Sequence, residues 1–146
     1  MRFLERYSHL TYALMRAVTG LLFMVHGAKK TFGVLNGFQP PVGSQIWFGG
    51  VIELVCGALI AVGLLTRFAA FLASGTMAVA YTQFHWKLQL GAAFLPSENK
   101  GEPALIYAFV FLFIASAGGG RWALDALLRR PAAAAAQGSS AERLSA

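Results

Sequence analysis

Apolar residues fall along this chain in four long blocks separated by short polar gaps. Phe68 to Trp86 is free of Asp, Glu, Lys and Arg for 19 residues, and Pro103 to Gly120 for 18. Two further blocks, from about Leu10 to Ala28 and from about Ile46 to Thr66, carry one ion each, Arg16 and Glu53. A bilayer core about 30 Å thick takes about 20 mostly apolar residues as helix, so each block predicts one membrane span. Turn residues punctuate the gaps: Gly33, Asn36, Gly37, Pro40, Pro41 and Gly43 in the first, Pro96, Ser97, Asn99 and Gly101 in the third. The second gap is only Leu65-Thr66-Arg67, which makes spans two and three a tight antiparallel hairpin. Pro103 suits the first turn of span four, where its missing N–H is harmless, and Gly118-Gly119-Gly120 ends that span.

The pattern therefore predicts an all-α, polytopic four-helix membrane bundle over residues 1–130, with spans at about 10–28, 46–66, 68–86 and 103–120. Between Arg121 and Arg130, Trp122, Leu124, Leu127 and Leu128 fit either a short interfacial helix or an extension of span four. Residues 131–146, with Pro131, five alanines and a polar end, have no apolar face to bury and read as a disordered cytoplasmic tail. Arg2 and Arg6 ahead of an apolar run resemble a secretory signal, but Arg16 interrupts that run and Lys29-Lys30 follow it, so the first span reads as uncleaved.

Composition narrows the class further. Of 146 residues, 57% are hydrophobic and 12% charged, and the mean hydropathy is +0.58; soluble domains carry about 25% charged residues. A soluble fold and general disorder are excluded, and the single cysteine, Cys56, excludes a disulfide scaffold and an intramolecular dithiol cycle. The formal charge of +6 flanks the spans and suits anionic lipid rather than nucleic acid. Arg2, Arg6, Arg67, Arg121, Arg129, Arg130 and Arg143 fall on one side, and Lys29, Lys30, Lys87 and Lys100 on the other. That bias puts both termini in the cytoplasm and the first and third loops outside.

Rise per residue then places the ionisable groups by depth. His26 lies roughly 6 Å below the outer edge, Glu53 roughly 10 Å, His85 roughly 5 Å and Tyr107 about 6 Å, with Glu102 at the mouth. An acid within a span is costly and seeks a partner, a pocket or water. Glu53 is thus either a structural acid that fixes helix packing or a ligand-binding, proton-handling one, and by level His26 is its expected partner. Arg16, about 9 Å from the inner edge, is expected to snorkel inward on its own stem, to make a structural pair, or to join a site. His26, His85 and Glu53 sit on three helices with no local spacing motif, which argues against a metal or haem site. A quinone or quinol fits the layer better, because its head group needs an apolar slot with a few hydrogen-bonding, proton-exchanging groups. No phosphate loop, dinucleotide fingerprint, H-E-x-x-H or G-x-S-x-G is present, and no catalytic residue is assigned.

Four segments in order, "LLFMVHGAKKTFG" from Leu21, "GGVIELVCGALIAVGLLTR" from Gly49, "MAVAYTQFH" from Met77 and "GEPALIYAFVFLFIASAGGGRWALD" from Gly101, resemble the DoxX family of small bacterial membrane proteins. The resemblance runs from about Arg16 to Asp125. Its more specific marks are the G-x-x-E of span two, the G-E before span four and the G-x-G-R-W-x-L-D after it. Family positions fall on His26, Gly27, Glu53, Gly57, Gly63, His85, Gly101, Glu102, Tyr107, Gly120, Arg121, Trp122 and Asp125. The resemblance implies a four-helix protein of the cytoplasmic membrane with a redox association, since the family takes its name from a subunit of a terminal quinol oxidase and has relatives linked to thiosulfate:quinone oxidoreduction. The chain reads as one short subunit without a second soluble domain, so thiosulfate chemistry is expected only where partners supply it.

Three functions follow as expectations. The first is a quinone-interacting subunit of a redox system, with Glu53, His26, His85, Tyr107, Glu102 and Arg16 as candidate ligand-binding residues and a partner subunit carrying electrons. The second is a non-enzymatic scaffold or assembly subunit, suggested by the lack of an identifiable electron carrier and by small residues suited to helix docking, such as Gly57, Ala61, Ala69, Ala70, Ala73 and Ser74. The third is a small-solute permease, which with four spans and no evident repeat requires a homo-oligomer.

Overall fold

A computed structural model describes residues 2–91 and 94–128. The predicted tail, 131–146, lies outside the described residues. The described residues form helices and connecting turns, with no strand among them. A short α1 (Arg2–Glu5) precedes α2 (Ser8–Phe32), α3 (Gln45–Val62), α4 (Thr66–Ala80) and α5 (Glu102–Ala117). α4 runs straight on into six residues of π-helix, Tyr81–Trp86. α2 and α3 are long and apolar enough to cross a membrane, and α5 is a shorter apolar helix.

Local chemistry fixes the ends. Ser44 caps α3, its Oγ accepting from the Trp47 N–H at 3.3 Å. Gly63, at φ 76°, stops α3 by returning its N–H to Leu59 and Ile60. The turn into α4 is therefore Gly63-Leu64-Leu65 rather than the expected Leu65-Thr66-Arg67; Thr66 and Arg67 already belong to α4. At the other end of the chain, Gly118 at φ 83° ends α5, and residues 124–128 form a separate helical turn. The stretch after Gly120 is thus a short helix of its own and not an extension of α5.

α2 packs along α3, α4 along α5, and α3 against α4. The first pair is held close by glycines. A Cβ on Gly20 would sit 2.5 Å from the Ala61 nitrogen, one on Gly57 would strike the Met24 nitrogen and the Gly20 carbonyl, and one on Gly27 would meet the Leu54 backbone. Gly49 and Gly75 differ, since a Cβ on either meets nothing within 4 Å. Gly57→Ala is expected to lower stability by about 2 kcal/mol, as overpacking against backbone does. Gly75→Ala should be neutral or stabilising by up to about 1 kcal/mol through helix propensity. Thermal unfolding of the detergent-solubilised variants separates the two.

Inside and outside are inverted relative to a soluble helix. α4 buries Ala69, Ala70, Ala73, Ser74 and Met77 and exposes Phe68, Phe71, Leu72 and Val79. Close approach through small residues, with large apolar side chains turned outward, suits a surrounding medium as apolar as the core. The small residues that suggested docking onto another protein are spent within the chain: Ser74 Oγ donates to the Ala108 carbonyl of α5 at 2.8 Å, and Gly57 receives α2.

One end of the molecule is tied by side chains that cap helices. The Asp125 carboxylate accepts from the N–H groups of Leu65 and Thr66 and from the Thr66 hydroxyl, at 2.8–2.9 Å, so it caps α4 across the chain and holds Leu65 at φ 47°. Gly119 leaves room for that contact, for a Cβ there would lie 2.9 Å from Thr66 Oγ1. Arg16 is 2% exposed and donates to the carbonyls of Ile60, Ala61 and Trp122. It does not snorkel: the early stop of α3 leaves carbonyls pointing at it, and they take up both terminal nitrogens of the guanidinium inside, while Nε is buried without a partner among the described residues. Arg67 closes α5 in the same way, through Ala115 and Ser116.

Candidate functional site

The opposite end carries the polar layer. On α2, Phe23, His26 and Lys30 recur at helical spacing and so share a face. Lys30 sits in the last turn, and its stem crosses α3 at Gly50, where a Cβ would lie 2.6 Å from Lys30 Cβ. One turn on from Gly50 stands Glu53, and Lys30 Nζ meets its Oε1 at 2.5 Å. The G-x-x-E pattern thereby has a physical reading: the glycine lets the lysine through to the acid. Glu53 pairs with Lys30, and not with His26 as level alone suggested, because Gly50 opens a path for the lysine stem.

Burial within the pair is uneven. The Glu53 side chain is 3% exposed and that of Lys30 33%. Glu53 Oε2 is buried with no hydrogen-bond partner among the described residues. Such an oxygen is a strong acceptor left unused, and a buried polar group without a partner is costly.

His85 arrives from the π-helical turn, a geometry that widens the helix by a residue and often marks functional positions. Its Nδ1 lies 3.2 Å from the Asn99 carbonyl. A carbonyl only accepts, so Nδ1 carries a proton, and the neutral tautomer compatible with this contact has Nε2 as its acceptor. From α5, Tyr107 stacks on Phe111 with centroids 5.5 Å apart and packs by Phe23 at 5.8 Å; His26 meets the edge of this group at 6.5 Å.

These side chains enclose a cavity of about 170 Å³ lined by His26, Lys30, Glu53, His85 and Tyr107, together with Phe23, Met77, Ala80, Pro103 and Ala104. A second, larger cleft of about 690 Å³ lies between α3 and α4. Lys30, Glu53, Ala80 and His85 line both spaces. His26, Glu53, His85 and Tyr107 thus come together around one cavity. Arg16 does not join them: it lies fourteen residues before Lys30 on α2, about 21 Å away along the axis. Glu102 is exposed at the start of α5 and lines neither space. Among the described residues no three His, Cys, Asp or Glu side chains gather as a metal-ligand set. Lys30 is the residue that sequence reasoning passed over, although its four-residue spacing from His26 placed it on the same face.

Two comparisons bear on these residues. A family model for DoxX matches residues 11–86. The chain belongs to the DoxX family. The DoxX match spans α2, α3, α4 and the π turn, and so includes Phe23, His26, Lys30, Glu53 and His85, while Tyr107 and Asp125 lie beyond it. An uncharacterized protein of Haemophilus influenzae is 39% identical over 129 residues, which cover 86% of this chain and 96% of the relative. No solved structure matches the chain. DoxX membership, with two helices fit to cross a bilayer, makes this a membrane protein of a family often associated with redox systems.

Proposed function

We propose that this DoxX protein is a four-span, multi-pass subunit of the bacterial inner membrane that binds the head group of a quinone or quinol beside Glu53. The spans are α2, α3, α4 with its π turn, and α5; both termini are cytoplasmic, and the pocket lies in the outer half. The observation that carries the reading is Glu53, whose Oε2 is buried and unpartnered among the described residues and whose side chain lines both cavities. A cavity of about 150 Å³ is known to hold one benzene ring, and the smaller space is of that order at about 170 Å³. Its rim offers what the two ring oxygens need: Glu53 Oε2 and His85 Nε2 as acceptors for quinol hydroxyls, and Lys30 and the Tyr107 hydroxyl as donors to quinone carbonyls. The Phe23 and Tyr107 rings, backed by Phe111, supply the apolar wall.

Conversion of quinone to quinol takes up two electrons and two protons. In this reading the electrons come from the redox centre of a partner subunit, and Glu53 and His85 pass protons to or from the ring oxygens. The small residues that also favoured a scaffold role pack inside the chain, and that alternative then rests on the lack of an identifiable electron carrier.

The test is direct titration of the purified protein in detergent with a benzoquinol bearing only short ring substituents. Glu53→Gln is expected to weaken binding about 10- to 100-fold, the worth of a hydrogen bond to a charged acceptor. Unchanged affinity in a folded Glu53→Gln protein removes the assignment.

A further inference from the structure

The head-group pocket accounts for only the smaller of the two spaces that Glu53 lines. The larger cleft is walled by Ile46, Phe48 and Ile52 of α3 and by Phe71, Leu72 and Val79 of α4. Its floor on each side is a glycine, Gly49 and Gly75, and both face open space. These are not packing glycines like Gly20, Gly27 and Gly57, so at these two positions the α3 and α4 backbones border open space. Polarity is confined to one end. Thr76 is the exception along the walls, and its hydroxyl is taken up by the Leu72 carbonyl of its own helix at 2.9 Å. At the polar end stand Lys30, Glu53 and His85, and there Gln45 Nε2 bridges to Gln83 Oε1 at 2.5 Å, tying the start of α3 to the π turn.

We infer that the cleft between α3 and α4 receives the long hydrocarbon tail of the quinone whose ring sits at Glu53, so that the ligand class is a membrane-dissolved, isoprenoid-tailed quinone and not a short-chain or water-borne one. The inference rests on the head-group reading above and adds the path of the tail. An amphiphile with one polar end and one long apolar end matches a space with that same division. The Gln45–Gln83 bridge spans the polar end, and the apolar walls open outward past Phe48 and Phe71, which are 56% and 68% exposed. The ring therefore reaches Glu53 sideways from the lipid, and the tail trails out between these two phenylalanines.

A pair of probes with one ring separates tail from head: a decyl-tailed benzoquinone and its methyl-capped analogue, titrated against the full chain in detergent. Gly75→Leu fills the cleft from α4, and Gly49→Leu fills it from the opposite wall; neither position contacts anything that a Cβ would displace. Each is expected to weaken the decyl-tailed probe about tenfold, as overpacking an occupied site does, and to leave the methyl-capped probe unchanged. Glu53→Gln is expected to weaken both probes. If both leucine variants bind the decyl-tailed probe like wild type while Glu53→Gln weakens both, the tail runs elsewhere and the head-group assignment stands. Equal weakening of both probes by the leucine variants, or a change in oligomeric mass with no change in tailed-probe binding, also overturns the tail path, the latter by marking the cleft as a contact between copies. If Glu53→Gln alters neither probe, the head-group assignment fails and takes the tail path with it.

Discussion

Arg16→Met is expected to lower the stability of the folded protein by about 3–5 kcal/mol, the range for removing one partner from a buried, hydrogen-bonded charge network. The guanidinium is 2% exposed and serves three carbonyls: Ile60 and Ala61 at the end of α3, and Trp122 beyond α5. Methionine fills the space but takes the side-chain donor from all three oxygens, leaving Ile60 with the Gly63 N–H alone, in a site closed to water. The charge also faces the negative end of the α3 dipole, which the substitution forfeits. Arg16→Lys should recover little, since a single ammonium does not reproduce a planar fork that reaches two helices at once. Unfolding of the solubilised variants, followed by helical signal, checks this; an Arg16→Met protein as stable as wild type would show that the carbonyls find other donors. Molecules that remain folded should keep head-group binding, because Glu53 lies two turns of α3, about 10 Å, from Ile60.

The Lys30–Glu53 pair should respond unequally to loss of either member. Lys30→Ala leaves a carboxylate that is 3% exposed with no cation beside it, and about 3–5 kcal/mol of stability should go with it. Glu53→Gln leaves an ammonium on a stem that is 33% exposed; it turns toward water, and the loss should be nearer 1 kcal/mol. Lys30→Met combined with Glu53→Gln should be more stable than Lys30→Ala alone, because the buried charge has gone. Binding follows a different order. Glu53→Gln, the milder change for the fold, is the more damaging one for the quinol, since the acceptor oxygen belongs to Glu53. A purely structural acid would show the reverse, with affinity falling only as far as stability does.

Much of this was legible in the sequence. Four apolar blocks mark where the long helices lie, and the glycines and prolines between them mark the turns, because those residues act locally. Depth counting brought His26, Glu53, His85 and Tyr107 to one level, and they line one cavity. What escaped depends on neighbours. Lys30 looked like a cation marking a span end; only Gly50 on another helix gives its stem a path to Glu53. Arg16 looked free to reach water along its own helix, and nothing local shows that α3 stops at Gly63 with carbonyls aimed at it. Asp125 stood out within a motif after span four, yet its partners, Leu65 and Thr66, lie 59–60 residues earlier. The π turn at Tyr81–Trp86 leaves no mark in an apolar run without a polar face to lose register.

The most direct test is to purify the wild-type protein and Glu53→Gln from native membranes in mild detergent, extract the lipid and measure isoprenoid quinone against protein. If Glu53 holds the head group, wild type carries quinone in near-equimolar amount and Glu53→Gln carries almost none. Quinone at equal levels in the two proteins, or absent from both, contradicts it.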